Sequence, residues 1–285
     1  MEAPSPEPSQ LRLLTYMEIA LGEKTIFFFG PWPRIRKNPA TSFEIMLLAR
    51  ELFPCFEHFA AGRRLPGLKT SQDDIHACLW ELRGTYALLL YRDRPSFSRY
   101  VDTNAVKGVH VELPLPDGEH FVALPLGVEP GKAELIQEEG TGQLRFESVE
   151  LTAAVLILPA KNKNPDIRES QEWPSVAEAE LCVRAAEFQL QKVRGVYERC
   201  ALSLPNAEQA FRDAAREIIT AKQLLHAGEN TKVVALRRIV NRFCRRAVVC
   251  VMDHADSISP VPDSARPFAG LYYGMPNFFA ATRDR

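Results

Sequence analysis

Lys232, Arg237, Arg238, Arg242, Arg245 and Arg246 fall between Thr231 and Met252, a stretch without one acidic residue. On a helix, positions 238, 242 and 245 follow spacings of four and three, so they form one stripe. Guanidinium groups are planar, permanently charged and rich in donors, which suits them to phosphate and carboxylate groups. Three uses follow: a solvated face whose arginines pair with Glu208, Asp213, Glu217 and other acids of neighbouring helices, a contact for the acidic face of a partner protein, or a site for nucleic acid or another phosphate. The absence of an aromatic stacking pattern beside the stripe, with near-neutral overall charge, ranks nucleic acid below a protein partner.

Other reactive residues are sparse. Cys55 and His58 share one short segment, where an imidazole would lower a thiol pKa, but cysteine enzymes draw nucleophile and base from distant segments. A buried cysteine beside a surface histidine is the simpler expectation. Cys244, Cys250 and His254 resemble three metal ligands only by type. On one continuous helix positions 244 and 250 project about 120° apart, so no metal site is expected. Asp253, His254 and Asp256 would stand at the carboxyl end of a strand if Ala247 to Met252 were one, a usual place for catalytic groups. The apolar spacing that continues from Val233 favours a helix instead. His110 and Glu112 share one face of a predicted strand, which an exposed strand face explains.

Signatures of common enzymes are missing. The sequence has no Gly-x-Ser-x-Gly, no His-Glu-x-x-His and no Gly-x-Gly-x-x-Gly after a strand. Gly127 to Lys132 is one residue short of a phosphate loop and lacks the Ser or Thr after its lysine. No cofactor is expected, and enzymatic activity is the less favoured class.

The chain that must position these residues has 285 amino acids, 46% hydrophobic and 25% charged, with a formal net charge of -1. It is long enough for a sizeable core, and no global field draws it to nucleic acid or an anionic bilayer. The apolar runs fall short of the roughly 18 residues of a membrane-spanning helix. The six cysteines are scattered between positions 55 and 250, and no Asn-x-Ser/Thr sequon occurs. Reduced thiols and a cytoplasmic or nuclear location are expected.

Residues 1–9 read as a flexible leader and residues 10–160 as an α+β domain. Leu11 to Leu21, the Gly22-Glu23-Lys24 turn and Thr25 to Phe29 predict a β-hairpin. Thr41 and Ser42 precede an apolar run that predicts a capped helix ended or kinked by Pro54. A second short helix is predicted near Ser71, with Asp73 and Asp74 in its first turn. Strands follow at 86–91, 109–115, 120–126, 133–137, 144–146 and 149–158, joined by turns at Pro116-Asp117-Gly118 and Glu139 to Gly142 of the kind that link antiparallel neighbours.

Residues 161–174 are polar and irregular and form the predicted linker. The helical region, 175–255, opens on a capping box, Ser175 with Glu178. Its first helix places Ala179, Val183, Ala186, Leu190, Val193, Tyr197 and Cys200 on one face. A second helix, opened by Asn206 and Gln209, repeats the spacing through Phe211, Ala214, Ile218, Ala221 and Leu225. A third, from about Thr231, does so through Val233, Leu236, Val240, Phe243 and Ala247, which leaves the arginines on the outer side. Residues 256–285 form an extended proline-rich tail whose Phe268, Tyr272, Tyr273, Phe278 and Phe279 suit docking on a partner, because disordered tails are poor in aromatics.

The predicted fold is therefore α+β: an antiparallel β-rich unit with two short helices, three further helices and a tail. Missing catalytic motifs, narrow helical seams and the aromatic tail lead to an intracellular interaction or assembly subunit, its partner another chain or a second copy. The alternatives are a nucleic-acid or phosphate-binding protein using the basic helix at 232–246, and an enzyme whose site is assembled from distant residues.

Overall fold

The computed structural model describes residues 8–24, 38–92, 105–127, 132–138, 141–162, 174–258, 275–276 and 279. Helix α1 spans Pro8–Leu21, where a strand is predicted. Leu11, Thr15, Tyr16, Ile19 and Ala20 are buried, at the three and four spacing of a helix face. The Gly22-Glu23-Lys24 segment is the helix stop and not a hairpin turn. The Gly22 amide donates to the Ile19 carbonyl and the Glu23 amide to that of Glu18, both at 3.0 Å, closing the last turn in a Schellman-like arrangement. The other half of the predicted hairpin, Thr25 to Phe29, lies outside the described residues.

Helix α2, Pro39–Leu52, is capped by Asn38, whose side chain accepts from the Thr41 amide at 3.1 Å, with Pro39 in the first turn. Thr41 thus sits inside the helix. Pro54 ends α2 in a 3₁₀ turn, Phe53–Cys55, and α3, Phe56–Ala61, follows at once. Strands β1, Arg63–Leu65, and β2, Ile75–Leu82, come next. The short helix predicted near Ser71 is absent. Residues 71–74 form a bend and turn leading into β2, and Asp74 accepts from the Arg92 guanidinium at 2.7 Å instead of lying in a helical first turn.

The remaining strands are β3, Thr85–Arg92, β4, Val106–Leu113, β5, Phe121–Pro125, β6, Ala133–Glu138, β7, Thr141–Val149, and β8, Thr152–Pro159. All pair antiparallel, in one sheet of order β1-β2-β3-β8-β5 and a second of order β4-β7-β6. The α+β class follows. The turn at Pro116-Asp117-Gly118 links β4 to β5 across the two sheets, whereas β6 and β7 are direct neighbours with Glu138 opposite Thr141.

The larger sheet is covered on both sides, which explains its near-continuous apolar run through β3. Leu88, Leu90, Val155 and Ile157 meet Val109, Val111, Leu144 and Phe146 of the smaller sheet. The alternate residues Leu89 and Ala154 meet Tyr16, Leu48 and Leu52 of α1 and α2, and Ala87 and Leu156 meet Cys55.

Three long helices complete the chain: α4, Val176–Cys200, α5, Pro205–His226, and α6, Asn230–Ile258. The capping box at Ser175 and Glu178 is formed with both reciprocal bonds. Leu204 is the cap of α5 and Pro205 its first residue, so the helix begins slightly before Asn206. The apolar seams of the three helices meet in a shared core that takes in Leu190, Val193, Phe211, Ile218, Val240 and Ala247. Helix α2 joins them, because Ala40 and Phe43 pack with Ala179, Val183, Val233 and Val234. Helix α6 runs unbroken through Ala247 to Met252. No helix among the described residues is long and apolar enough to cross a membrane.

Candidate functional site

Helix α6 carries its basic residues on two sides. Lys232 is exposed and pairs with Glu229 at 3.0 Å, and Arg246 is exposed. Arg237 and Arg245 are buried, at 2% and 7% exposure, and Arg238 and Arg242 are half-buried. The guanidinium groups expected to face outward therefore turn inward at these four positions. Their wide helical arc exceeds what the apolar seam against α4 and α5 occupies, and the remainder faces the β-rich half of the chain.

What they face is a cavity of about 610 Å³. Its walls are α6, the inner ends of α1 and α2, and the junction where Glu150 and Leu151 carry the chain from β7 in one sheet to β8 in the other. Five guanidinium groups line it, those of Arg12, Arg237, Arg238, Arg242 and Arg245, against three carboxylates, Glu44, Glu51 and Glu150. The rest of the wall is largely apolar, including Leu47, Pro125, Leu126, Leu151, Val234 and Ile239.

At one end the charges are mutually satisfied. Arg12 donates from Nε to Glu44 at 2.7 Å and from Nη1 to both oxygens of Glu51, at 2.7 and 2.9 Å. The Tyr16 hydroxyl donates to Glu51 in a short bond. Burial weakens the Arg12 cation, but Glu51 and Glu44 more than restore it, so its pKa lies well above the ordinary value. Burial and then the Glu51 charge push the Tyr16 hydroxyl up, keeping it a donor. Gly127 passes against this cluster with φ +109, and a Cβ there would lie 3.1 Å from Glu51 Oε2 and 3.7 Å from Arg238 Nη2. Only glycine suits both the backbone angle and the space.

At the junction between β7 and β8, Glu150 accepts from Arg242 in a short bond and lies 3.7 Å from Arg245. Burial opposes its ionisation, yet Arg245, Arg242 and Arg238 outweigh that and hold the carboxyl below the ordinary range.

Nearer the start of α6 stands Arg237. Its Nη2 donates to the Ala40 carbonyl at 3.2 Å, and its guanidinium lies 5.1 Å from the centroid of the Phe43 ring. It forms no ion pair among the described residues, and its Nε and Nη1 have no hydrogen-bond partner there. Arg242 Nε and Asn241 Oδ1, also on the lining, are likewise unpartnered. A buried guanidinium with unpartnered donors is costly unless an acceptor satisfies them.

Chemically this is a place to hold an anion. The described lining has no histidine, cysteine or lysine, and guanidinium groups stay charged at any physiological pH, so they orient ligands and do not shuttle protons.

The other sequence candidates lie elsewhere. Cys55 is fully buried, and burial followed by Glu51 pushes its thiol up to about 12, the reverse of activation. The His58 imidazole bonds Thr85 Oγ1 at 2.8 Å, and burial lowers its pKa. Cys244 is in the helical core, and no group of metal-ligating side chains occurs among the described residues. Asp253, His254 and Asp256 lie on α6, away from any strand end. His110 and Glu112 alternate with buried Val109, Val111 and Leu113 on β4, outside the cavity. Of the segment Gly127 to Lys132, only its two end residues are described.

Of the tail aromatics, Phe268, Tyr272, Tyr273 and Phe278 lie outside the described residues. Phe279 is buried in the chain's own helical core and stacks on His254, with centroids 5.7 Å apart.

Arg12, Glu44, Glu51 and Glu150 have no place among the sequence candidates. A signal existed for two of them. Glu44 and Glu51 share a helical face with Ala40, Phe43, Leu48 and Leu52, and charged residues on an apolar stripe need buried partners. No family model, curated protein or solved structure matches this chain.

Proposed function

We propose that the protein binds a small molecule with an acidic group and an apolar body in the cavity between α6, α1–α2 and the β7–β8 junction. The observation that carries this reading is Arg237, a buried residue on the cavity lining whose Nε and Nη1 have neither a hydrogen-bond partner nor a carboxylate among the described residues. The surplus of guanidinium groups over carboxylates favours an anion, and the volume lies in the roughly 300–1,000 Å³ range of small-ligand sites. The apolar wall favours a ligand with a hydrocarbon or aromatic body.

This takes up the phosphate-binding alternative for the basic helix and narrows it. A nucleic-acid backbone or a flat protein surface meets exposed side chains, and Arg237 and Arg245 are not exposed. The assembly role has less support, because the helical seams, which by sequence suit internal packing first and another chain second, are filled by one another and by Phe279.

Calorimetric titration with decanoate, decyl phosphate and the neutral decan-1-ol tests the proposal. The two acids should bind and the alcohol should bind at least about tenfold more weakly. Arg237→Gln should erase that difference while circular dichroism reports an unchanged fold. Equal affinity for acid and alcohol, or no binding of any of them, would refute it.

A further inference from the structure

We infer that Glu150 is a specificity-determining residue of this cavity, which fills the Arg242–Arg245 pair from within and so restricts the ligand to one acidic group, held at Arg237. The inference rests on the binding reading above and deepens it by naming the ligand class: amphipathic monoanions, in preference to dianions of equal length.

The basic face of α6 has two ends. Arg237 and Arg245 stand about 12 Å apart along the helix axis, at about 1.5 Å per residue. A ligand with acids at both ends would have to span that distance to reach both arginines. At Arg237 its first acid would find donors without a partner, which a shift of that buried side chain brings to the cavity. At the other end the arginines already share a carboxylate: Arg242 donates to Glu150 Oε1, and Arg245 lies 3.7 Å from Glu150 Oε2. A second ligand acid would meet that carboxylate at close range. Like charges in a partly desolvated site repel strongly, and rejection by a built-in repulsive group is an effective route to selectivity.

The position of Glu150 makes it a dependable filter. It sits with Leu151 in the short junction between β7 and β8, strands of different sheets. Both flanks are anchored: Val149 pairs with Val106 on one side, and Thr152 with Tyr91 on the other. The carboxylate is thereby held against α6 by backbone that cannot swing far without breaking ladder bonds. Burial alone would favour its neutral form, but the three arginines facing it keep it ionised. The repulsion is accordingly present at neutral pH.

The experiment is a pair of calorimetric titrations, decanoate against decanedioate, on the full wild-type chain and on Glu150→Gln. Wild type should prefer the monoacid by about tenfold or more. Glu150→Gln should bind the diacid at least as tightly as the monoacid. The glutamine keeps an acceptor for Arg242, and Glu150→Asp, which keeps the charge, should retain the wild-type preference. A wild-type protein that takes both acids equally overturns the inference without any variant. So does a monoacid preference that survives Glu150→Gln. In either case, monoacid binding that still depends on Arg237 leaves the binding reading intact. Absence of binding by both acids to every variant removes both.

Discussion

The Arg237 guanidinium lies over Phe43, 5.1 Å from the ring centroid, and bonds the Ala40 carbonyl at the start of the same helix. One side chain of α6 thereby ties the third long helix to α2, close to two hundred positions earlier in the chain. Phe43 is fully buried. Replacing it with leucine removes the cation–π contact and part of the packing. We expect a loss of about 1–3 kcal/mol, read as a lower urea midpoint, together with weaker binding of decanoate because Arg237 loses one wall of its seat.

Tyr16→Phe should destabilise the fold by about 1–3 kcal/mol, because Glu51 then keeps its buried charge with one donor fewer. The same substitution at an exposed tyrosine would have almost no effect. Urea denaturation of the variant distinguishes the two, and an unchanged midpoint would mean that Arg12 alone satisfies Glu51.

Gly127→Ala should cost about 1–3 kcal/mol. Its φ of +109 is poorly tolerated by a side chain, and the new methyl would crowd the Glu51 carboxylate. The expected accompaniment is a disturbed Arg12–Glu51 pair, visible as a shifted Arg12 Nη1 resonance.

Acid should remove the contribution of Glu150 in a defined direction. Its folded-state pKa is lowered, through arginines that outweigh the burial penalty. Above the ordinary carboxylate pKa both folded and unfolded chains are ionised and the full contribution is present. As pH falls below that value the unfolded chain takes up the proton first, and the contribution declines until the folded carboxyl is also protonated. Wild type should thus be more stable than Glu150→Gln at neutral pH, and the two urea midpoints should converge in acid. Parallel pH profiles would contradict the pairing.

Ser175→Ala should cost about 0.5–2 kcal/mol, since it removes the hydroxyl half of the capping box that opens α4 and leaves only the backbone amide bond to Glu178. This feature is read from the sequence directly. The helical seams of α4 and α5 are equally legible, because period and capping are local. The strands from β3 to β6 are legible from alternation too. Val149 to Leu158, however, reads as one strand where the chain breaks at Glu150 and Leu151 between β7 and β8, and the Pro116-Asp117-Gly118 turn joins strands of different sheets.

Elsewhere local signals mislead. Leu11 to Leu21 has β-forming residues and a following glycine turn, but its burial period is helical and only packing on β3 reveals it. Strand β2 is hidden because the hairpin after it turns on Arg83, at φ 52, and Gly84, not on an Asn-Gly or Asp-Gly pair. The site was half visible. Arginine spacing identifies the basic helix, yet which side faces water depends on what packs there, and Glu150 and Arg12 come from segments far away in sequence. Charge buried against charge is a tertiary fact.

The most direct measurement follows the arginine Nε–H resonances of the folded protein during a decanoate titration, with the Arg237 signal assigned by its loss in Arg237→Gln. The account predicts that this resonance shifts most and becomes the best protected from exchange with water as the ligand saturates. Movement confined to exposed Arg246, or none at all, would contradict it.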